Sequence, residues 1–276
     1  MAASFMLDWI QLQLVDLGAN QPYGDECICL GFVFNGFFLP KDMVVGLYEQ
    51  VHSLDIKLIT SHYCRNTIMG TNSHIAPLSW YGLLKDDILF SHANGALPED
   101  AVQLTAVNVH ISSTLDMELQ IVISLSVCFC PDMCKVASLG VDCHTHNSGD
   151  ILSQMCLVLQ NVCGVYNQLF VEADKALQVV SNTVEDVYNL GTIMGTHTVG
   201  MSAEIRSIAV GKLADLILFD GQSPSMVCEA AYNSVAVIVL HTSVRDINMV
   251  IVNRQIRKAG RKLKAVELAE EGKLME

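Results

Sequence analysis

Short apolar runs and amphipathic helical stripes alternate along the first two thirds of the chain. A helix is predicted after Pro40, a residue suited to a helix start, and another after Pro98, with acidic residues in its first turn. The apolar positions of the first helix are Val44, Leu47, Tyr48 and Val51. Further helical stripes fall within residues 152–173. The apolar runs that predict strands are Cys27–Val33, Lys57–Ser61, Ile88–Ser91, Val107–Ser112 and Ala137–Val141.

The order of these elements predicts an α/β fold. Strands that alternate with helices are typical of parallel sheets with right-handed crossovers. Apolar strands without polar alternation indicate a sheet covered on both faces. No G-x-G-x-x-G turn follows any strand, which disfavours a dinucleotide-binding doubly wound sheet. We therefore predict a partial TIM-like (β/α) barrel of about five strand–helix units.

The last third of the chain has a different pattern. Short β-type runs at Ile208–Asp220, Val235–His241 and Met249–Ile256 are separated by turn residues. They predict antiparallel strands of a small β-sandwich module. The expected organisation is a barrel over residues 1–200, half of a β-sandwich over 201–262 and a charged tail over 263–276.

Composition excludes several classes of protein. Sixteen basic residues against 29 acidic ones give a net charge of −13, which opposes nucleic-acid binding. The longest charge-free apolar stretch, Leu119–Cys130, is too short to span a membrane. The N-terminus lacks a basic secretory n-region, and ten cysteines at irregular spacings indicate reduced thiols. We expect a cytoplasmic protein without a membrane anchor.

Three polar residues follow predicted strands at equivalent positions. His62 follows the second strand, His92 the third and Asp142 the fifth. In a (β/α) barrel these ends converge on the face that carries the active site. Two imidazoles and a carboxylate there suit a divalent metal, most simply Zn²⁺. Cys128, Cys130 and Cys134 lack a second pair at metal-site spacing and are interpreted as ordinary buried cysteines.

The same segments resemble the metal-dependent amidohydrolase superfamily, in its deaminase and chlorohydrolase-like branch. The matching motifs are ITSHYCRN, LFSHANGALPED, HISSTLDMEL, SLGVDCHTHNSGD, LGTIMGTHTVGMSAEIRSIAVGKLADLILFD and VIVNRQIRKAG. The resemblance implies that His62 is a metal ligand and that Asp142 is both a ligand and the proton shuttle. His92, also a candidate ligand, would orient the metal-bound hydroxide or the tetrahedral centre. The implied activity is hydrolysis of a non-peptide C–N bond in a small molecule, such as deamination of a heterocyclic amine.

The chain departs from the family pattern at its start. None of the 61 residues before His62 forms the His-x-His of the family's first strand, so an N-terminal truncation is expected. His144-Thr145-His146 follows the aspartate strand and is interpreted as a coincidence, the alternative being that it replaces lost ligands. Two further hypotheses stay open: a catalytically inactive homologue that at most binds a partner, and a module that forms homo-oligomers through the open barrel edge.

Overall fold

The computed structural model describes residues 2–24, 28–65, 72–121, 127–180 and 182–264, with the side chains of residues 2–8 left aside. Its helices are α1 (Ala2–Ala19), α2 (Lys41–Ser53), α3 (Ile75–Trp80), α4 (Pro98–Ala106), α5 (Leu115–Gln120), α6 (Ile151–Glu172), α7 (Val184–Gly191), α8 (Ile193–Thr198) and α9 (Ser234–Leu240). Its strands are β1 (Phe32–Val33), β2 (Ile59–Cys64), β3 (Ile88–Asn94), β4 (His110–Ser113), β5 (Ala137–Leu139), β6 (Leu216–Phe219), β7 (Ile247–Val252), β8 (Gln255–Ala259) and β9 (Lys262–Leu263).

The first five strands form one parallel sheet in the order β1-β2-β3-β4-β5. Each strand pairs with the next along the chain, for example Phe32 with Ile59 and Ile59 with Ile88. Helices follow the strands in sequence, as in a barrel that is partly built. The predicted fold class is confirmed, although β1 and β5 are shorter than the apolar runs that predicted them.

Helix α2 shows how the apolar stripe builds the core. Its four buried residues are those of the predicted stripe: Val44, Leu47, Tyr48 and Val51. They belong to one cluster of buried residues that also includes Ile59 of β2 and Ile88 of β3. The stripe is therefore what fixes this helix against the sheet. Within the described residues, no helix has both the length and the apolar character of a membrane span.

The C-terminal part contains an antiparallel sheet in the order β6-β7-β8-β9. This sheet agrees with the predicted β module, but the strand predicted over Val235–His241 is wrong. That run forms α9, which packs against α6 and α7. Asn233 caps the start of this helix, and its side chain accepts a hydrogen bond from the Ala236 N–H at 2.9 Å. A short, wholly apolar run carries no periodicity, so capping and packing decide its structure. The domain boundary near residue 200 stays a prediction, and residues 265–276 of the predicted tail lie outside the described residues.

Substitution of Gly95, in the turn after β3, is predicted to destabilise the fold. Its φ is +73°, and a Cβ there would lie 2.5 Å from the Arg65 carbonyl oxygen. We expect Gly95→Ala to lower the free energy of unfolding by about 1–3 kcal/mol or more. Gly82 has nearly the same φ, +71°, with nothing within 4 Å of the added Cβ. Urea denaturation of Gly95→Ala and Gly82→Ala should show the larger loss at Gly95, and equal losses would contradict the steric argument.

Candidate functional site

The three candidate residues lie at the carboxyl ends of their strands. His62 and His92 are inside β2 and β3, which extend further than predicted, and Asp142 follows β5. His92 has a φ of 71° and Asp142 a φ of 66°. Such left-handed backbone costs about 1–3 kcal/mol in residues other than glycine, and His92 and Asp142 are two of the ten described non-glycine residues that adopt it.

The three side chains are neighbours. The rings of His62 and His92 have centroids 5.6 Å apart and are tilted by 30°. His92 Nε2 lies 4.0 Å from Asp142 Oδ2. His62 is exposed, His92 is buried, and the Asp142 side chain is 29% exposed. The three side chains therefore lie partly exposed at the carboxyl edge of the sheet, where solvent and a small molecule can reach the Asp142 carboxylate.

Asn35, which sequence reasoning missed, fixes the ring of His62. The His62 backbone N–H donates to Asn35 Oδ1 at 3.0 Å, and Asn35 Nδ2 lies 3.1 Å from His62 Nδ1. Asn35 comes just after β1. The rule that selected His62, a polar residue at a strand end, could have found it.

A further imidazole, that of His74, lies next to the backbone of His62. His74 Nδ1 is 3.3 Å from the His62 carbonyl oxygen, and its ring stacks on Phe37 with centroids 4.1 Å apart. Burial lowers the pKa of His74, against a smaller opposite effect of the His62 carbonyl. No sequence pattern pointed to this residue, because its packing depends on contacts far along the chain.

His92 is held from behind by Thr114 and Glu118. Its Nδ1 lies 2.9 Å from Thr114 Oγ1 and 3.3 Å from Glu118 Oε1. Glu118 is fully buried. The neighbouring Cys64 is buried too, and burial, with the nearby charges of Glu118 and Asp142, raises the pKa of its thiol to about 11. Cys64 is therefore a neutral thiol at neutral pH and carries no nucleophilic role.

The donor atoms suit zinc, but the arrangement does not complete a zinc site. Catalytic zinc normally has three protein ligands. Across the described ranges, no three histidine, cysteine, aspartate or glutamate side chains come close enough to hold a metal ion. His144 and His146 are exposed in the turn after β5. Cys128 is buried as predicted, but the prediction of burial is wrong for Cys130 and Cys134, which are exposed because they lie in the turns after the short helix at Val127–Phe129. Neither these two histidines nor these three cysteines supply the missing ligand, so the described residues do not form a complete zinc site.

A family model described as the amidohydrolase family matches residues 43–273. The chain belongs to the amidohydrolase family. The family predicted from the motifs around His62, His92 and Asp142 is thus confirmed. A curated protein, the 5-methylthioadenosine/S-adenosylhomocysteine deaminase of Syntrophobacter fumaroxidans, is 21% identical to the amidohydrolase chain over 232 residues, 83% of this chain and 48% of that protein.

Solved structures show the same fold. The atrazine chlorohydrolase TrzN of Arthrobacter aurescens TC1, complexed with zinc, matches with a TM-score of 0.74 at 14% identity, over 93% of this amidohydrolase and 56% of that chain. An adenosine deaminase of Xanthomonas campestris with bound zinc matches with a TM-score of 0.65 at 15% identity, over 82% and 51%. The amidohydrolase chain therefore spans about half the length of the relatives it matches.

Proposed function

We propose that this amidohydrolase hydrolyses a non-peptide C–N bond and releases an exocyclic amine from a small heterocyclic molecule. Support comes from the family match and from its relatives, two of which are deaminases. The observation that carries the proposal is the pair formed by His92 Nε2 and Asp142 Oδ2, 4.0 Å apart at the carboxyl edge of the sheet. Active sites of (β/α) barrels lie at this edge.

The separation within this pair fits a water molecule between the two side chains. A direct hydrogen bond would be about 2.7–3.2 Å long, so the 4.0 Å gap leaves room for a bridging water. His92 orients the water, and Asp142 takes its proton as a general base. The oxygen forms a bond to the sp² carbon, the C–N bond breaks, and Asp142 returns the proton to the leaving amine. Atoms and charge are balanced without any further reactant.

Whether the hydrolysis depends on zinc is tested separately from the hydrolysis itself. Zinc, where it binds in such enzymes, lowers the pKa of its water to about 7. His62, His92 and Asp142 have suitable donor atoms, while the described residues leave the ligand set incomplete. The zinc predicted from the sequence therefore stays a prediction.

The test is ammonia release by the purified full chain. The substrates are an aminopurine nucleoside and an amino-substituted triazine, each assayed after chelation and again with added Zn²⁺. We expect ammonia from at least one substrate class. A rate that falls on chelation and recovers with Zn²⁺ would show zinc dependence, and an unchanged rate would show that His92 and Asp142 activate the water without a metal. A folded chain that releases none under either condition would overturn the proposal. That result would favour the alternative of an inactive binding or dimerisation module, which the family match does not support.

A further inference from the structure

Glu118 is a buried carboxylate outside the predicted catalytic set. It lies on α5, four residues after Thr114, the N-cap of that helix. It is 0% exposed, although the exposed carboxyl edge of the sheet is only one side chain away, beyond His92. Burying a carboxylate in this way is costly unless hydrogen-bond donors surround it. The hydrogen-bond donors around Glu118 therefore show which groups this carboxylate stabilises.

Two of these donors are unambiguous. The Thr114 backbone N–H donates to Glu118 Oε1 at 2.8 Å, and the Ser113 hydroxyl donates to Oε2 at 3.0 Å. The third neighbour is His92 Nδ1, 3.3 Å from Oε1. Both carboxylate oxygens of Glu118 already accept a hydrogen bond, so Glu118 faces Nδ1 as an acceptor. The contact with His92 is therefore favourable only if Nδ1 carries a proton.

The front of the His92 ring supports the same assignment. A proton on Nε2 would be donated to Asp142, and the two atoms would approach to about 2.7–2.9 Å, the usual length of such a bond. They lie 4.0 Å apart. Two acceptors at this separation suit a shared water that donates to both.

We propose that Glu118 is a positioning residue for His92. It holds the neutral imidazole in the tautomer with the proton on Nδ1 and presents an unprotonated Nε2 to the water beside Asp142. The inference rests on the proposed function for its purpose, while the tautomer itself is a property of the folded chain. In metal sites and proton-transfer sites alike, such a partner fixes both the tautomer and the ring orientation.

Thr114 provides the competing arrangement. Its hydroxyl, 2.9 Å from His92 Nδ1, could donate to that nitrogen if the proton were on Nε2. Glu118 Oε1 would then face the Nδ1 lone pair at 3.3 Å inside a fully buried site. Two facing acceptors without a proton between them cost the desolvation energy of both. The proposed tautomer avoids this cost, because Nδ1–H can be shared between Thr114 Oγ1 and Glu118 Oε1.

The test reads the tautomer directly. The full chain is labelled with ¹⁵N, and the ring nitrogens of His92 are observed by long-range ¹H–¹⁵N correlation, which distinguishes the two neutral tautomers and the imidazolium. The His92→Asn spectrum assigns the signals. We expect a protonated Nδ1 and an unprotonated Nε2 in the wild type. A proton on Nε2, in the other neutral tautomer or in an imidazolium, overturns the proposal, and this reading needs no variant of Glu118.

Glu118→Met tests the cause. The thioether side chain has nearly the same length but removes the oxygen that faces Nδ1, so the Thr114 hydroxyl can donate to Nδ1. We expect Nε2–H to become populated and hydrolysis to fall about 10–100-fold, mainly in kcat. Glu99→Met, at an exposed position in the first turn of α4, is the matched control and should change neither signal nor rate. An unchanged tautomer in folded Glu118→Met overturns the proposal. A wild type with the expected tautomer but no hydrolysis overturns only the proposed function.

Discussion

Asp142→Asn is expected to lower the rate of ammonia release by about 10²–10⁴-fold, the usual contribution of a general acid–base residue. Asparagine keeps the shape of the side chain but cannot take a proton from water and return it to the leaving amine. The fold should be retained, because Asp142 has a φ of 66° and asparagine tolerates left-handed backbone nearly as well as aspartate. The loss should therefore appear in kcat, with an unchanged circular dichroism spectrum and thermal midpoint.

Asp174 provides the matched control for this substitution. It follows α6, is exposed and also has a positive φ, of 51°. Asp174→Asn makes the same chemical change in the same backbone region away from the site, and the rate should stay at the wild-type value. If Asp142→Asn hydrolyses as fast as Asp174→Asn, Asp142 is not the proton shuttle.

The parts of the fold that could be predicted are those fixed by local periodicity. Helix α2 is one example, since a single stripe of four apolar residues defines both its extent and its buried face. The candidate site followed from position: His62, His92 and Asp142 each come at the end of an apolar run, and parallel strands bring such ends together.

The parts that could not be predicted depend on contacts between distant segments. Glu118 lies in a segment, Leu115–Gln120, in which apolar and polar residues alternate, and its burial becomes visible only when His92, 26 residues earlier, packs against it. Asn35 and His62 are 27 residues apart. The run at 235–241 shows a second kind of failure. Its apolar residues suit a strand, but packing against α6 and α7 selects a helix. Sequence patterns therefore predicted the site residues at the strand ends, but not the residues that orient them.

One buried carboxylate beside the site has a structural role, and its removal should have the largest effect on stability. Asp100, in the first turn of α4, is 3% exposed. The Tyr63 hydroxyl and the Ser73 hydroxyl each donate to it at 2.7 Å, and the Leu97 N–H donates at 2.9 Å. Arg65 Nη1 lies 3.7 Å from the same carboxylate. Asp100 thus joins the end of β2 to the start of α4, directly behind the strand that carries His62.

Asp100→Ala is expected to lower the free energy of unfolding by about 3–5 kcal/mol, because it removes several hydrogen bonds to a buried carboxylate, each worth about 1.5–3 kcal/mol. The fully buried Tyr63 hydroxyl loses its acceptor, and Arg65 loses this one ion pair. Asp86→Ala, at an exposed position before β3, should change the same free energy by no more than about 0.5 kcal/mol. Urea denaturation followed by fluorescence compares the two variants, with the slope m checked for two-state behaviour. If Asp100→Ala is no less stable than Asp86→Ala, the hydrogen bonds around Asp100 do not hold β2 and α4 together.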